Sequence, residues 1–293
     1  MTLDDYLRTR REEVEAALDE LVPKGDVRPS TIHQAMRHSL FAGGKRIRPV
    51  LFLAAAEAVG VTDSESVKAA CSLELIHTYS LIHDDLPALD NDDFRRGRPT
   101  AHKVFGEAMA ILAGDALLTC AFAALAGLTG PADRRIALVR ELATAAGTVD
   151  GMIGGQVADL EAEGKPVEEE RLLYIHRSKT GALIRASVRM GGIWAGCSDE
   201  QLIALDEYGR RVGMAFQIVD DILDMTATSE ELGKTAGKDA EQEKATYPAL
   251  YGLEESRRLA GEQYQAAIAA AGVFGERGLR LREIAERVVA RSN

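Results

Sequence analysis

Positions 84 to 93 read DDLPALDNDD, five aspartates in ten residues, and FQIVDDILD at 216–224 supplies three more. Carboxylates at this density repel one another, and buried neighbours cannot both stay ionised without compensation. If 200–226 is one helix, Gln217, Asp220 and Asp224 project from a single face. Met214, Phe216, Ile218 and Val219 beside them are apolar, so that face is expected in the core. Acids that merely stay wet favour a helix N-terminus, where the dipole suits negative charge; these stand at the C-terminal end and call for a cation. In the first cluster, SLELIHTYSLIH (72–83) delivers Asp84 and Asp85 at a helix end, Pro87 interrupts, and Asp90 returns after a short bulge. Hard oxygen donors without an organised Cys or His set suit Mg²⁺, which keeps waters and shares its shell with phosphates. Two such clusters make a cage for several divalent ions carrying a diphosphate.

Basic residues stand where a diphosphate would need them. GGKRIRP (43–49) offers Lys45, Arg46 and Arg48; FRRGRPT (94–100) offers Arg95, Arg96 and Arg98; GKTAGKD (233–239) offers Lys234 and Lys238. Singly, each would pass for a solvated charge. Following both acidic motifs, they read as paired anion sites, with arginine for bidentate contacts and lysine as a point charge.

The elements that must position these groups are helices. Apolar spacing predicts them over 3–21, 31–42, 50–59, 64–86, 102–127, 132–146, 149–162, 168–194, 200–226, 241–271 and 279–291, with no convincing period-two strand. Breaks are short and carry Gly or Pro, and no linker splits the chain, so one helical domain is expected for the 293 residues. The net charge of −11 excludes a basic nucleic-acid face. Cys71, Cys120 and Cys197 show no paired spacing and read as buried, reduced thiols of a cytoplasmic protein. The charged N-terminus has no leader character. AMAILAGDALLTCAFAALAGL (108–128) imitates a membrane span but carries Asp115, and reads as a central helix buried all round.

With these residues in hand, the chain resembles the trans-isoprenyl diphosphate synthases, and among them the bacterial short-chain farnesyl diphosphate synthases. The likeness runs through GGKRIRP, HDDLPALDNDDFRRGRPTAHKVFGEAMAILAGDALL, GQVADLEAEGK, IHRSKTGALIRASVRMGG, FQIVDDILD and GKTAGKDAEQEKATYP. It implies an all-α, single-domain bundle or barrel of long helices around a deep cavity, commonly a homodimer. The implied reaction joins an allylic diphosphate to isopentenyl diphosphate head to tail. On this resemblance Asp84, Asp90 and Asp220 bind Mg²⁺ (with Mn²⁺ as a substitute), and Asp85, Asp221 and Asp224 support that site. Arg95, Lys179, Lys234 and Lys244 hold the allylic diphosphate; Lys45, Arg48, His77 and Arg96 hold isopentenyl diphosphate. Thr180 and Gln217 turn oxygen dipoles on the carbocation, and the departing diphosphate takes the proton, so no protein base is needed. His83, His102 and His176 read as structural. Gln156 and Asp159 back the metal site or join helices, Asp115 reads as a core acid bonded to a neighbouring helix, and Arg291 is offered as a tail contact to isopentenyl diphosphate. Phe94 stands where the family more often has leucine.

Product length is expected to follow Tyr79, five positions before Asp84, with small Ser80 beside it. A phenol removes roughly one prenyl unit of depth from a pocket, and together with the Pro87–Ala88 insertion it favours farnesyl diphosphate. The rival readings are a geranylgeranyl diphosphate synthase, a terpene cyclase and a non-catalytic regulatory subunit. The complete second aspartate motif and the separate Lys45, Arg48 and His77 set argue against the last two.

Overall fold

A computed structural model of the protein describes residues 1–166, 168–226 and 246–290. The chain divides into two compact units, Met1–Val50 with Asp63–Val139, and Leu51–Thr62 with Arg140–Asn293.

The first unit holds α1 (Leu3–Leu21), α2 (Ser30–Leu40), the start of α3 (Ile47–Val59), α4 (Ser64–Asp84), α5 (Ala101–Phe105), α6 (Glu107–Ala126) and the start of α7 (Ala132–Ala146). Local chemistry fixes the helix starts. The Thr2 side chain accepts from the Asp5 N–H, with Asp4 and Asp5 in the first turn of α1, and Asp63 accepts from the Ser66 N–H at 2.7 Å to start α4. α4 is the hub, packed against α1, α2 and α6. Its buried positions run from Ser66 to Ile82 with few gaps, which explains why no single apolar stripe marks it in the sequence. A two-residue antiparallel hairpin, β1 (Phe94–Arg95) and β2 (Arg98–Pro99), follows the first aspartate cluster. It is too short to have an alternating pattern. The expected single helix over 102–127 is broken at Gly106, whose φ of 82° lies in the left-handed region that a helix cannot pass through.

α6 corrects an expectation. It is long and apolar enough to span a membrane by composition, yet only 33% of the window is buried. Ala110, Ala113, Gly114, Leu117, Ala121 and Leu125 form the covered stripe. Ile111 and Leu112 remain 45% and 51% exposed. Asp115 is no core acid, since its side chain is 60% exposed, 3.9 Å from His83 of α4.

The second unit holds the rest of α3 and α7, then α8 (Met152–Ala162), α9 (Glu169–Ile175), a π-helical turn (His176–Gly181), α10 (Ala182–Ala195), α11 (Asp199–Thr226), α12 (Tyr247–Tyr251), α13 (Leu253–Ala271), a 3₁₀ segment (Gly272–Gly278) and α14 (Leu279–Val289). α11 is the axis of this unit, packed on α10, α13, α14 and the π turn. Leu172, Ile218, Val219, Ile222, Tyr247 and Ala260 form one apolar cluster around it. The expected helices over 168–194 and 241–271 are interrupted, the first by the π turn and the second at Gly252. Of the cysteines, Cys71 is buried; Cys120 and Cys197 are only half-buried, and all three are free thiols.

Candidate active site

In the first unit α4 ends by presenting Asp84, and the chain folds straight back. The Asp90 N–H donates to the Asp84 carbonyl at 2.9 Å and the Asp92 N–H to the Asp85 carbonyl at 3.1 Å. The Pro87–Ala88 insertion therefore closes a backbone loop that returns Asp90 to Asp84. Both side chains are half-buried. Asp85 has turned inward, 4% exposed, and takes Arg95 Nε at 2.7 Å and Nη2 at 2.6 Å. Burial pushes its carboxyl up and Arg95 only partly offsets this. Asp85 thus acts on the hairpin arginine, a supporting role, and Asp92 at 3.6 Å adds to it.

Beside these acids lies a cationic group. Arg48 has no carboxylate partner among the described residues, and its Nε is buried without a hydrogen bond. Burial lowers its pKa to about 10; Glu74 opposes that and Arg96 adds to it. Arg96, held at a φ of 53°, donates to the Gly43 carbonyl. Burial, then Arg48, Arg96 and Arg95, keep His77 well below the usual histidine range. A neutral His77 brings a hydrogen bond to an anion rather than a charge. Lys45 is exposed. Arg46, which the sequence grouped with these cations, is spent internally: 2% exposed, it donates to Glu15 at 2.7 Å, Glu74 at 2.6 Å and the Leu40 carbonyl at 2.6 Å. Glu74 is thus bonded to Arg46, while its charge still favours the protonated forms of Arg48 and Arg96.

In the second unit the π turn carries Lys179 and Thr180. Lys179 Nζ sits 2.6 Å from Asp159 Oδ2. α8 lies directly against this turn because residue 155 is glycine: a Cβ there would come 2.1 Å from the Lys179 backbone nitrogen. Gln217 and Asp220 are half-buried on α11, and Asp221 and Asp224 are buried at its C-terminal end. Asp221 Oδ2 accepts the Tyr247 N–H at 2.8 Å and faces His176 Nε2 at 3.7 Å, while the His176 and Tyr247 rings stack at 5.4 Å. Asp224 Oδ1 is buried with no hydrogen-bond partner among the described residues. Tyr247 and His176 are the partners that sequence reasoning missed or left structural. Neither lies in an aspartate motif, and an aromatic 26 residues after Asp221 carries no local signal. Lys234, Lys238, Lys244 and Arg291 lie outside the described residues.

The donor set fits Mg²⁺. The acids are hard oxygens, half-exposed at Asp84, Asp90 and Asp220, and the Asp224 oxygen lacks the partner that buried acceptors ordinarily have. No three such donors converge among the described residues.

His176 sets a pH dependence. Burial lowers its pKa to about 4, whereas the unfolded chain takes up that proton near 6.5. Its neutral form therefore contributes stability above about pH 6.5 that is lost as pH falls towards 4, up to about 3 kcal/mol. Urea unfolding at pH 7 and pH 5 should show a steeper loss in the wild type than in His176→Gln; equal slopes would remove His176 as the cause.

His83 and His102 each have one ring nitrogen near a polar neighbour in the first unit. His83 Nε2 lies 3.0 Å from the Ile111 carbonyl, and His102 Nδ1 lies 3.1 Å from Thr100 Oγ1.

Comparison with known proteins gives this arrangement its context. The family model for polyprenyl synthetase matches residues 29–272. The farnesyl diphosphate synthase of Geobacillus stearothermophilus is 44% identical, with 100% of this chain and 99% of the relative covered. The geranylgeranyl diphosphate synthase of Cyanophora paradoxa is 45% identical over 98% of this chain and 96% of its own. A crystal structure of a putative farnesyl-diphosphate synthase from Marinomonas sp. MED121 superposes with a TM-score of 0.84 at 41% identity, covering 99% of both chains. With two aspartate motifs and their basic flanks on an all-α fold, the chain belongs to the polyprenyl synthetase family and is a trans-prenyltransferase.

Proposed function

We propose that the enzyme condenses dimethylallyl or geranyl diphosphate with isopentenyl diphosphate, giving farnesyl diphosphate. The observation that carries this is the cationic group of Arg48, Arg96 and neutral His77, in the same unit as Asp84 and Asp90, in which Arg48 has no carboxylate ion pair among the described residues and the nearby Glu74 is bonded to Arg46. It supplies a diphosphate site apart from the acidic motifs, as two substrates require.

In this mechanism Lys45, Arg48 and Arg96 hold the diphosphate of isopentenyl diphosphate and His77 donates to it. Lys179 and Arg95 orient the allylic diphosphate, with Lys234 and Lys244 proposed beside them. Asp84, Asp90 and Asp220 would hold Mg²⁺, supported by Asp85, Asp221 and Asp224, and the ions supply charge neutralisation for the leaving diphosphate. The allylic carbon–oxygen bond breaks with its electron pair on the diphosphate. Thr180 and Gln217 direct oxygen dipoles at the cation. The isopentenyl double bond attacks, and the adjacent proton passes to the released diphosphate.

The farnesyl product is supported by Tyr79, which is 5% exposed. Its ring meets His83 edge-on at 5.7 Å, and among the described residues its hydroxyl has no hydrogen-bond partner. A buried phenol is rigid enough to serve as a stop. Ser80, tied to the His77 carbonyl at 2.8 Å, leaves that role to Tyr79. Incubation with Mg²⁺, dimethylallyl diphosphate and isopentenyl diphosphate should give farnesol after dephosphorylation. Tyr79→Ala should shift the main product to geranylgeraniol; an unchanged length would defeat the stop, and geranylgeraniol from the wild type would favour the geranylgeranyl reading.

A single functional domain is supported by the family match, which spans both units. The uncovered Ile111 and Leu112 of α6 support a homodimer, which light scattering tests directly. A cytoplasmic location is proposed from the absence of paired cysteines.

A further inference from the structure

On the second unit, lined by none of the residues assigned above to substrate or metal, a cleft of about 420 Å³ opens between the π turn, α10 and α11. Its charged lining is four guanidinia, Arg177, Arg185, Arg210 and Arg211, against one carboxylate, Asp150. In a chain of net charge −11 this is a local reversal of sign. The carboxylates that face the arginines are shared. Asp206 serves Arg185 and Arg189, each at 2.7 Å, and Glu207 serves Arg210 at 2.9 Å and Arg211 at 2.7 Å. Arg211 also donates to Gln263 at 3.0 Å. Arg177 is exposed and has no ion-pair partner among the described residues. Leu173, Tyr174 and Met214 give the cleft an apolar wall.

Guanidinia converging from three elements match the oxygens of a polyphosphate, which accept bidentate donors. The volume falls within the range of small-molecule sites, roughly 300–1,000 Å³, and exceeds what inorganic phosphate would fill. We propose that this cleft binds a small organic polyphosphate, with its phosphates on Arg177 and Arg210 and its body against Tyr174 and Met214. Arg177 and Ser178 line the cleft from the same turn that carries Lys179, so the occupant alters the placement of that lysine. This second part rests on the prenyl-transfer mechanism above; the binding itself does not.

The test is calorimetric titration of the full-length enzyme with ADP in EDTA, which silences any metal-dependent diphosphate site. Saturable binding is expected in the wild type and in Asp84→Asn, weakened about tenfold or more in Arg177→Ala/Arg210→Ala. No binding by the wild type, equal affinity in the double variant, loss in Asp84→Asn, or inorganic diphosphate binding as tightly as ADP would each overturn the site. With Mg²⁺ restored, ADP should change the KM for geranyl diphosphate about fivefold or more in the wild type and not in the double variant. An unchanged wild-type KM overturns the coupling to Lys179. A wild type inactive without ADP overturns the prenyl-transfer reading and leaves the binding result standing.

Discussion

Asp84→Asn should lower kcat for prenyl transfer by about a thousandfold, with the KM for isopentenyl diphosphate nearly unchanged. The substitution is isosteric and keeps the main-chain hydrogen bond from Asp90 to the residue-84 carbonyl, so the loop that returns Asp90 stays closed. It removes one negative ligand from a site whose task is to hold divalent charge against a leaving diphosphate. Charge stabilisation of that kind is worth several kcal/mol in the transition state, and about 4 kcal/mol corresponds to a thousandfold in rate. On the proposed mechanism isopentenyl diphosphate rests on a different set, Lys45, Arg48, His77 and Arg96. Steady-state kinetics separates the two. A rise in the KM for isopentenyl diphosphate with kcat intact would place Asp84 in the wrong half of the site, and a drop below tenfold would deny it a metal-holding role.

Arg46→Met should be the most destabilising single change in the first unit. The guanidinium is buried with Glu74, itself 2% exposed, at 2.6 Å, and it bonds Glu15 and the Leu40 carbonyl as well. Burial works against its charge, but Glu74 and Glu15 outweigh that and raise its basicity. Removing it strands a carboxylate in the interior, which costs about 3–5 kcal/mol. Arg46→Met/Glu74→Leu should recover much of that loss, because an apolar pair of similar volume is often as stable as a buried ion pair. Urea unfolding of both variants decides the matter; a double variant no more stable than the single would mean that the packing of Arg46, not its charge, is what counts. The double variant should also raise the KM for isopentenyl diphosphate, since Arg46 lies between Lys45 and Arg48.

Helix content and the acidic motifs were legible because both are local. Apolar spacing reports a helix within a few turns, and Asp220, Asp221 and Asp224 declare themselves within five residues. The role of Arg46 was not legible: its partner Glu74 is 28 positions away, and inside GGKRIRP it looks like one more anion-binding cation. α6 misled for a different reason. When apolar residues fall on every face of a helix, composition cannot reveal which face a neighbour covers, and only the packed structure separates Leu117 from Leu112. Single glycines at 106 and 252 are weak punctuation in a sequence with 27 of them, yet their positive φ angles decide where two helices stop. The cleft arginines are spread over 177, 185, 210 and 211; Arg177 and Arg185 lie in IHRSKTGALIRASVRMGG, but nothing in that stretch announces Arg210 and Arg211 as their neighbours.

The π turn over His176–Gly181 also constrains how the family's sequences can vary in length. Such a turn holds one residue more than the α-helical turn it replaces. Deleting one residue here would let α9 and α10 run on as a single regular helix with little loss of backbone bonding. The wider turn is what absorbs the extra residue, so the side chains of α10 beyond it would keep their angular positions. Lys179 and Thr180, which lie inside the turn, would no longer present the same faces to Asp159 and to α11. A one-residue gap in SKTG is thus a local change of direction disguised as a change of length.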